Sequence, residues 1–193
     1  MMHSGKQTMA DAGDDQCKLR SYKDKCPGGL TPHHCVPDHC FKKPDSQGGG
    51  LYPGGLSHAD GFCICVKGST KSTAVGGGNV SRKNYSTDKK HYDALAEHGR
   101  MHKLFDKAEA DLGKTGTPTN SAKLGDLEDS AAKVISQVSG CDEQDLKNQI
   151  RAHHQSRGLT PDHKFRADPF GRKKAPPYSK MGTKTPAISG MPG

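Results

Sequence analysis

The sequence predicts a mixed α+β fold with short strands in its first half, helices in its second half and long loops between them. Two patterns predict it. Phe62, Ile64 and Val66 alternate with two cysteines, which is the periodicity of a strand. From about Lys89, histidine and apolar residues recur at spacings of three and four, which is one face of a helix. We therefore expect one modest domain built from a small sheet and two or three helices.

The composition limits the size of the core. Leu, Ile, Val and Phe make up only 26 of the 193 residues, a share typical of chains that bury too little apolar surface to fold unaided. Glycine and proline contribute 36 residues, so long loops are expected, and a metal is expected to help hold the fold. No apolar run approaches the roughly 18 residues of a transmembrane helix, and the polar start of the chain does not resemble a signal peptide.

The net charge of +8 is concentrated near the C-terminal end. From Arg157 onward there are eight basic and two acidic residues, which together account for +6. We interpret residues 158–193 as a largely irregular basic tail that contacts phosphates without sequence preference. Arg172, Lys173 and Lys174 are its candidate nucleic-acid contacts.

Composition and periodicity divide the rest of the chain into three segments. The first is polar and aperiodic, the second holds most histidines and cysteines together with the first helix, and the third contains two further helices. The segments are a flexible leader over residues 1–24, a core over 25–113 and an α-helical extension over 114–157. The first helix, in the core, is expected to stop at Gly113. Helices are predicted over 121–138 and 142–155 in the extension.

Two histidine motifs carry the predicted chemistry. His98 and His102 are four apart on the first predicted helix, so their imidazoles lie on one side and can hold one ion. His33 and His34 are adjacent on an irregular strand bracketed by prolines, where one can bind a metal while the other meets a substrate. Three neutral imidazoles leave positions on a divalent metal open to a phosphate. The fourth histidine, with a reference pKa near 6.5, can take a proton from water.

We therefore expect His33, His98 and His102 to bind one divalent metal ion, and His34 to act as general base in phosphodiester hydrolysis. The ion is expected to be Mg, Mn, Zn or Ni. Arg100 and Lys103 are candidate clamps for a phosphate oxygen, and Arg100 is counted with His34 as catalytic.

Three more residues are auxiliary candidates. His91 shares the predicted helix face with His98 and is an alternative ligand or phosphate contact, although a surface position is favoured. His39 could serve as an auxiliary metal ligand, and Asp38 could orient a catalytic imidazole. No role is predicted for His58, His153, His154 and His163.

The seven cysteines favour metal binding or reduced thiols over a disulfide framework, because their number is odd. Four of them could form a structural zinc site, but C-x4-C and C-x-C are not the usual zinc spacings, so buried thiols are favoured. Pairing of some cysteines in an oxidising compartment stays open. The four are Cys35, Cys40, Cys63 and Cys65.

Three sequence blocks, Cys26–His34, Cys63–Gly68 and His98–His102, resemble a known nuclease group. They are similar to the ββα-metal nucleases, also called HNH or His-Me finger nucleases. The closer resemblance is to the GHH-signature HNH/endonuclease VII toxins of bacterial polymorphic-toxin systems, in particular their second family. The resemblance covers about residues 22–112. Pro32 stands where the signature often has glycine, and the loops between hairpin and helix are longer than in colicins.

The resemblance implies a small ββα-metal core and a metal-dependent DNA endonuclease. It also implies an antibacterial effector that is secreted through a contact-dependent or type VI apparatus, or on a delivery domain, and acts on DNA in the cytoplasm of the target cell. A cognate immunity protein, expected to be acidic by charge complementarity, would neutralise it; no membrane partner is expected. His34 matches the family's general base, His33 its first-strand metal position, and His98 and His102 its helix ligands.

Two other functions are open at the level of sequence. The chain could be a non-catalytic module, stabilised by zinc, that binds nucleic acid or protein, or it could be an RNase built on the same hairpin. Metal removal separates the first from an enzyme: a structural site unfolds, whereas a catalytic site loses cleavage and keeps most of its helicity.

Overall fold

The computed structural model describes residues 16–68, 95–171, 176 and 181. The fold is mixed α+β with small antiparallel sheets, as the sequence predicts. Within the described residues no helix has the length and apolar character needed to cross a membrane. In chain order the elements are β1 (Arg20–Ser21), β2 (Thr31–His34), α1 (Asp38–Phe41), 3-10 turns at Asp45–Gln47 and His58–Asp60, β3 (Phe62–Val66), α2 (Glu97–Thr115), β4 (Ser121–Lys123), α3 (Leu124–Ser139), α4 (Glu143–Ser156) and β5 (Lys164–Arg166).

The first sheet has β3 in the middle, with β1 on one side and β2 on the other. The predicted strand at 62–66 is confirmed as β3. β2 pairs with it residue by residue, with His33 opposite Ile64 and His34 opposite Cys63, so β2 is regular and not bent. Because successive side chains of a regular strand point to opposite faces, His33 and His34 lie on opposite faces of this sheet.

Residues 16–24 belong to the fold, which corrects the expectation of a flexible leader in this part of the chain. β1 pairs with β3, and Cys17 forms a disulfide with Cys141 just before α4. Leu19 is buried, and its backbone N–H donates to the side chain of Gln149 at 2.9 Å. A two-residue strand is too short to show alternation, so no local pattern predicts β1.

The first predicted helix is observed as α2, with different ends. It begins at Glu97; residues 69–94, which contain His91, lie outside the described residues. At its other end it continues two residues past Gly113. A Cβ at Gly113 would stand 2.1 Å from the carbonyl oxygen of Ala167. Gly113 therefore permits close contact between α2 and the C-terminal segment and does not end the helix.

The two helices of the extension are confirmed as α3 and α4. Gly140, with a φ of 79°, ends α3 in the left-handed conformation that glycine adopts readily. The side chain of Asp142 accepts a hydrogen bond from the backbone N–H of Asp145 and so caps α4. The residues predicted to start the second helix, Ser121–Lys123, instead form β4.

Residues 158–171 are also folded, which corrects the expectation that an irregular tail begins at residue 158. β5 pairs with β4, and Leu159, Phe165 and Ala167 are buried. Only Phe165 and Ala167 have the two-residue spacing of a strand, and two positions are too few to predict one. The candidate contacts Arg172, Lys173 and Lys174 lie outside the described residues.

One hydrophobic cluster connects the first sheet to the helical extension. The predicted core and extension are therefore not separate packing units, because their apolar residues form a single shared core. Its fully buried large side chains include Phe41, Tyr52, Ile64, Met101, Phe105, Leu127, Ile135, Leu146, Ile150 and Phe165.

Candidate metal centre

Three histidines converge between β2 and α2. The ring centroids lie 4.9 Å apart for His33 and His98, 4.7 Å for His33 and His102, and 4.8 Å for His98 and His102. Each imidazole offers a nitrogen within 4.8 Å of the nitrogens of the other two. Zinc binds imidazole nitrogen at about 2.0–2.1 Å, so these nitrogens can meet on one ion after small side-chain rotations. The structure thus brings together the three residues predicted as ligands.

Backbone contacts fix the start of α2 against the end of β3. The backbone N–H of His98 donates to the carbonyl oxygen of Lys67 at 3.0 Å, and the backbone N–H of Lys67 donates to the carboxylate of Glu97 at 2.8 Å. Gly68 follows with a φ of 103°, and a Cβ there would stand 2.8 Å from the Cβ of Ala96. The first turn of α2, which carries His98, is therefore held next to the strand that pairs with β2.

The electrostatics of His33 suit a metal ligand. His33 is only 3% exposed, and burial, followed by the neighbouring imidazoles of His102, His98 and His34, holds its pKa well below the usual value. It is therefore neutral at physiological pH, as a ligand must be. Its Nδ1 is buried and accepts or donates no hydrogen bond within the described part of the chain. Coordination of a cation would satisfy this nitrogen, so the residues present fit a metal.

His34 lies on the other face of the sheet. Its ring stacks on Tyr22, with centroids 4.7 Å apart and planes 12° from parallel. Its Nε2 lies 2.9 Å from the carbonyl oxygen of His58. A carbonyl only accepts, so Nε2 carries the proton and Nδ1 keeps the lone pair that a base needs. Burial lowers the pKa of His34, opposed in part by the hydrogen bond to the His58 carbonyl, so the ring is neutral at physiological pH.

Gly61 and Asp38 complete the surroundings of His34. A Cβ at Gly61 would stand 2.2 Å from Cδ2 of His34, so only glycine leaves room for the imidazole. The carboxylate of Asp38 lies 3.0 Å from Nδ1 of His58 and 2.6 Å from Nζ of Lys42. The role of Asp38 in orienting a catalytic imidazole stays a prediction. Its carboxylate contacts the ring of His58, and its charge acts to raise the pKa of His34 against the larger lowering by burial.

The helical extension supports the loop behind His34. His153 on α4 has Nε2 3.0 Å from the carbonyl oxygen of Asp60, and its ring stacks on Phe62 with centroids 4.3 Å apart. The carboxylate of Asp60 also accepts a hydrogen bond from Lys23 at 3.0 Å. His153 was given no role from sequence, yet it fixes the turn that presents the His58 carbonyl and Gly61.

Sequence reasoning therefore missed Tyr22, His58, Gly61 and His153. Tyr22 reaches the site only because β1 pairs with β3, which has no local signature. His58 is a single histidine in a loop, and its backbone carbonyl makes the decisive contact with His34. Gly61, directly before β3, is the one residue of this group with a signal in the sequence, because glycine beside a strand often marks a place where another group packs closely against the backbone.

Arg100 and Lys103 occupy the same turns of α2 as the histidine ligands and are half-buried. Side chains two residues apart project from a helix in directions about 200° apart. The side chain of Arg100 therefore leaves the backbone on the side of α2 opposite His98 and His102. Lys103 follows His102 directly. Their contacts with phosphate stay predictions.

Four of the seven cysteines form disulfides, which corrects the expectation of metal-bound or reduced thiols for those four. The possible four-cysteine zinc site is wrong, because Cys65 is already bonded to Cys26. The interpretation as buried thiols is confirmed for Cys35, Cys40 and Cys63. Burial raises the pKa of Cys63 to about 12 and the pKa of the other two thiols well above the usual value. The disulfides are Cys17–Cys141 and Cys26–Cys65.

His39 does not join the histidine triad. Its Nε2 lies 2.9 and 3.0 Å from the two carboxylate oxygens of Glu109, two helical turns beyond His102 on α2. The sequence pointed to a possible ligand at His39, and the structure places it in a different group, with Cys40 and Glu109.

Comparisons of the chain with protein-family models, curated proteins and solved structures found no match.

Proposed function

We propose that the protein is a metal-dependent endonuclease that hydrolyses the phosphodiester bonds of DNA, with a ββα-metal core formed by β2, β3 and α2. The observation that carries the proposal is the convergence of His33, His98 and His102 beside a fourth histidine, His34, at the next strand position. The three sequence blocks that resemble the GHH-signature nucleases fall on these same elements, which adds support.

The triad would hold the divalent ion, and imidazole ligands suit Zn or Ni better than Mg or Mn. When bound, the ion neutralises the scissile phosphate and the departing oxygen. His34 takes a proton from water at Nδ1, since its Nε2–H is committed to the His58 carbonyl. Tyr22 and Gly61 hold the ring in place by stacking and close packing.

The two faces of the sheet meet at β2, which is an edge strand within the described ranges. His33 and His34 point to opposite faces, but their Cα atoms are only about 3.8 Å apart. A phosphate lying across the open edge of β2 would therefore reach the metal on one face and the base on the other. This arrangement explains why adjacent histidines on a regular strand can serve one reaction.

The biological setting is part of the same proposal. We propose a secreted antibacterial effector that acts on DNA in the target cytoplasm and is neutralised by an acidic immunity protein. Disulfides are typical of proteins that pass through an oxidising compartment, so the two disulfides support export from the producing cell. The net charge of +8 supports a polyanionic substrate.

The test is incubation of the full chain with plasmid DNA and with total RNA, each with Mg²⁺, Mn²⁺, Zn²⁺ or Ni²⁺ and each with and without EDTA. We expect DNA cleavage that EDTA stops while helicity by circular dichroism is largely kept. The variant His34→Ala should abolish cleavage with metal and DNA binding nearly intact. His163→Ala, in the loop between α4 and β5, is the matched control and should cleave normally.

Full activity of His34→Ala with every metal would contradict the assignment of the base. Cleavage of RNA alone would replace DNA as the substrate. Unfolding on chelation, with no cleavage under any condition, would favour a zinc-stabilised binding module.

A further inference from the structure

A second cluster of ligand-type side chains lies further along α2. Glu109 comes from α2, and His39 and Cys40 come from the short helix α1. One oxygen, one nitrogen and one sulfur from these side chains lie within 4.8 Å of one another. Seven residues separate Glu109 from His102, which is roughly 10 Å along a helix, so the two groups cannot share an ion.

The burial of this cluster makes its charge balance important. Glu109 and Cys40 are both 0% exposed, whereas the side chain of His39 is 27% exposed and reaches the surface. A fully buried carboxylate needs a compensating charge. A divalent cation bound by the Glu109 carboxylate and a Cys40 thiolate would supply it and form a neutral unit, with the imidazole of His39 as a third ligand.

The donor set points to zinc among the divalent ions. Thiolate, imidazole and carboxylate are the three ligand types that zinc uses in proteins. A thiolate ligand disfavours Mg²⁺, Ca²⁺ and Mn²⁺, which prefer oxygen. Because His39 is partly exposed, an ion can reach the cluster from solvent. Three protein ligands leave the fourth position of a tetrahedral zinc for water.

We propose that His39, Cys40 and Glu109 form a second metal site, which binds zinc and joins α1 to α2. α1 follows directly after the strand that carries His33 and His34, and α2 carries the other two histidines. The zinc would therefore link the two chain segments that supply the nuclease triad. It would also give a chain with few apolar residues a metal cross-link at the edge of its apolar core, where Cys40 belongs to the buried cluster. This inference does not rest on the proposed nuclease activity.

Cobalt(II) can test the site in the full-length protein. After metal removal, titration with Co²⁺ should give a thiolate-to-cobalt charge-transfer band in the near ultraviolet. The histidine triad contains no sulfur, so the band reports on the second site alone. We expect the band to persist in the double variant His98→Ala/His102→Ala and to disappear in Cys40→Ser. Cys63→Ser, which changes another buried thiol, is the matched control and should keep the band.

His39→Ala provides a second variant that folds more readily, because the side chain is partly exposed. It should weaken Zn²⁺ binding at the second site by more than about tenfold, measured by competition with a chromophoric chelator in the triad-deficient background. Absence of the band in the folded unsubstituted protein, its persistence in Cys40→Ser, or its loss in Cys63→Ser would each overturn the proposal. Unchanged Zn²⁺ affinity in His39→Ala would do the same.

Discussion

The Nε2 atom of His34 lies 2.9 Å from the backbone carbonyl oxygen of His58, and this hydrogen bond sets the tautomer of His34. Because the acceptor is a backbone atom, substitution of the His58 side chain does not remove it. The position of the carbonyl depends instead on the turn at residues 58–60, on Gly61 and on the contact between Asp60 and His153. Control of the proposed base therefore lies in residues that do not themselves touch a substrate.

Gly61→Ala is expected to reduce cleavage by about 100-fold, because its Cβ would force the His34 imidazole from its place. Metal binding at the triad, on the other face of the sheet, should be unchanged. Cleavage rate and metal affinity are measured on the same preparation. Gly140→Ala, which strains the end of α3 and places a Cβ in open space, is the control for lost stability and should keep its cleavage rate. Equal losses in the two variants would argue against a specific role for Gly61.

Tyr22→Ala is expected to lower kcat about tenfold, because the ring that stacks on His34 at 4.7 Å is removed. Tyr22→Phe keeps the stacking surface and should retain nearly full activity. Steady-state cleavage of a short duplex distinguishes the two. A loss in Tyr22→Phe equal to that in Tyr22→Ala would assign the effect to the hydroxyl group and not to stacking.

The thiol count should show three free cysteines in the chain. Without reductant, a thiol reagent should find three thiols per chain in denaturant and seven after reduction, since four cysteines are paired. In the native state the three should react slowly, because burial raises the pKa of Cys63 to about 12 and that of Cys35 and Cys40 well above normal. Seven thiols in denaturant without reductant would show that the disulfides do not form.

Removal of the Cys17–Cys141 disulfide should destabilise the protein more than removal of Cys26–Cys65. The first joins residues 124 apart and the second residues 39 apart, so the loop-entropy difference is about 1 kcal/mol. The comparison uses Cys17→Ser/Cys141→Ser and Cys26→Ser/Cys65→Ser, unfolded in urea at equal metal concentration. The reverse order would mean that strain or residual unfolded structure outweighs loop closure.

His153 should make the free energy of unfolding depend on pH. Burial lowers the pKa of His153 in the folded state, although the hydrogen bond to the Asp60 carbonyl opposes this, and His154 and Arg157 lower it further. The unfolded chain then binds the proton more readily, so stability falls as the pH drops below about 6.5 and levels off below the folded-state pKa. Urea unfolding at pH 8 and pH 5 should show a larger loss for the unsubstituted protein than for His153→Gln. Equal losses would mean that His153 is not held neutral.

The parts of the site that could be predicted are those set by local sequence. A spacing of four places His98 and His102 on one face of α2. The regular β2, with His33 and His34 on opposite faces, was not predicted, because the flanking prolines favoured an irregular strand. Tyr22 could not be found in this way, because its position follows from the pairing of β1 with β3. That pairing joins residues more than forty apart, and the two-residue strand shows no pattern.

The cysteines and the C-terminal segment show the same limit. An odd number of cysteines favoured free thiols, yet disulfide partners cannot be read from one sequence, and here each pair is far apart along the chain. Phe165 is buried in the shared core although nothing around it is periodic. The disulfide pairing and the burial of Phe165 both depend on contacts between residues far apart in sequence, which composition and spacing do not predict.

The disulfide between Cys17 and Cys141 encloses both histidine motifs in one covalent loop. The strand that carries His33 and the helix that carries His98 lie on either side of residues 69–94 in that loop. A protease cut anywhere in this stretch would leave two fragments that stay joined, with His33 on one fragment and His98 and His102 on the other. On a denaturing gel such a nicked molecule would migrate as one species without reductant and as two fragments once the disulfide is reduced.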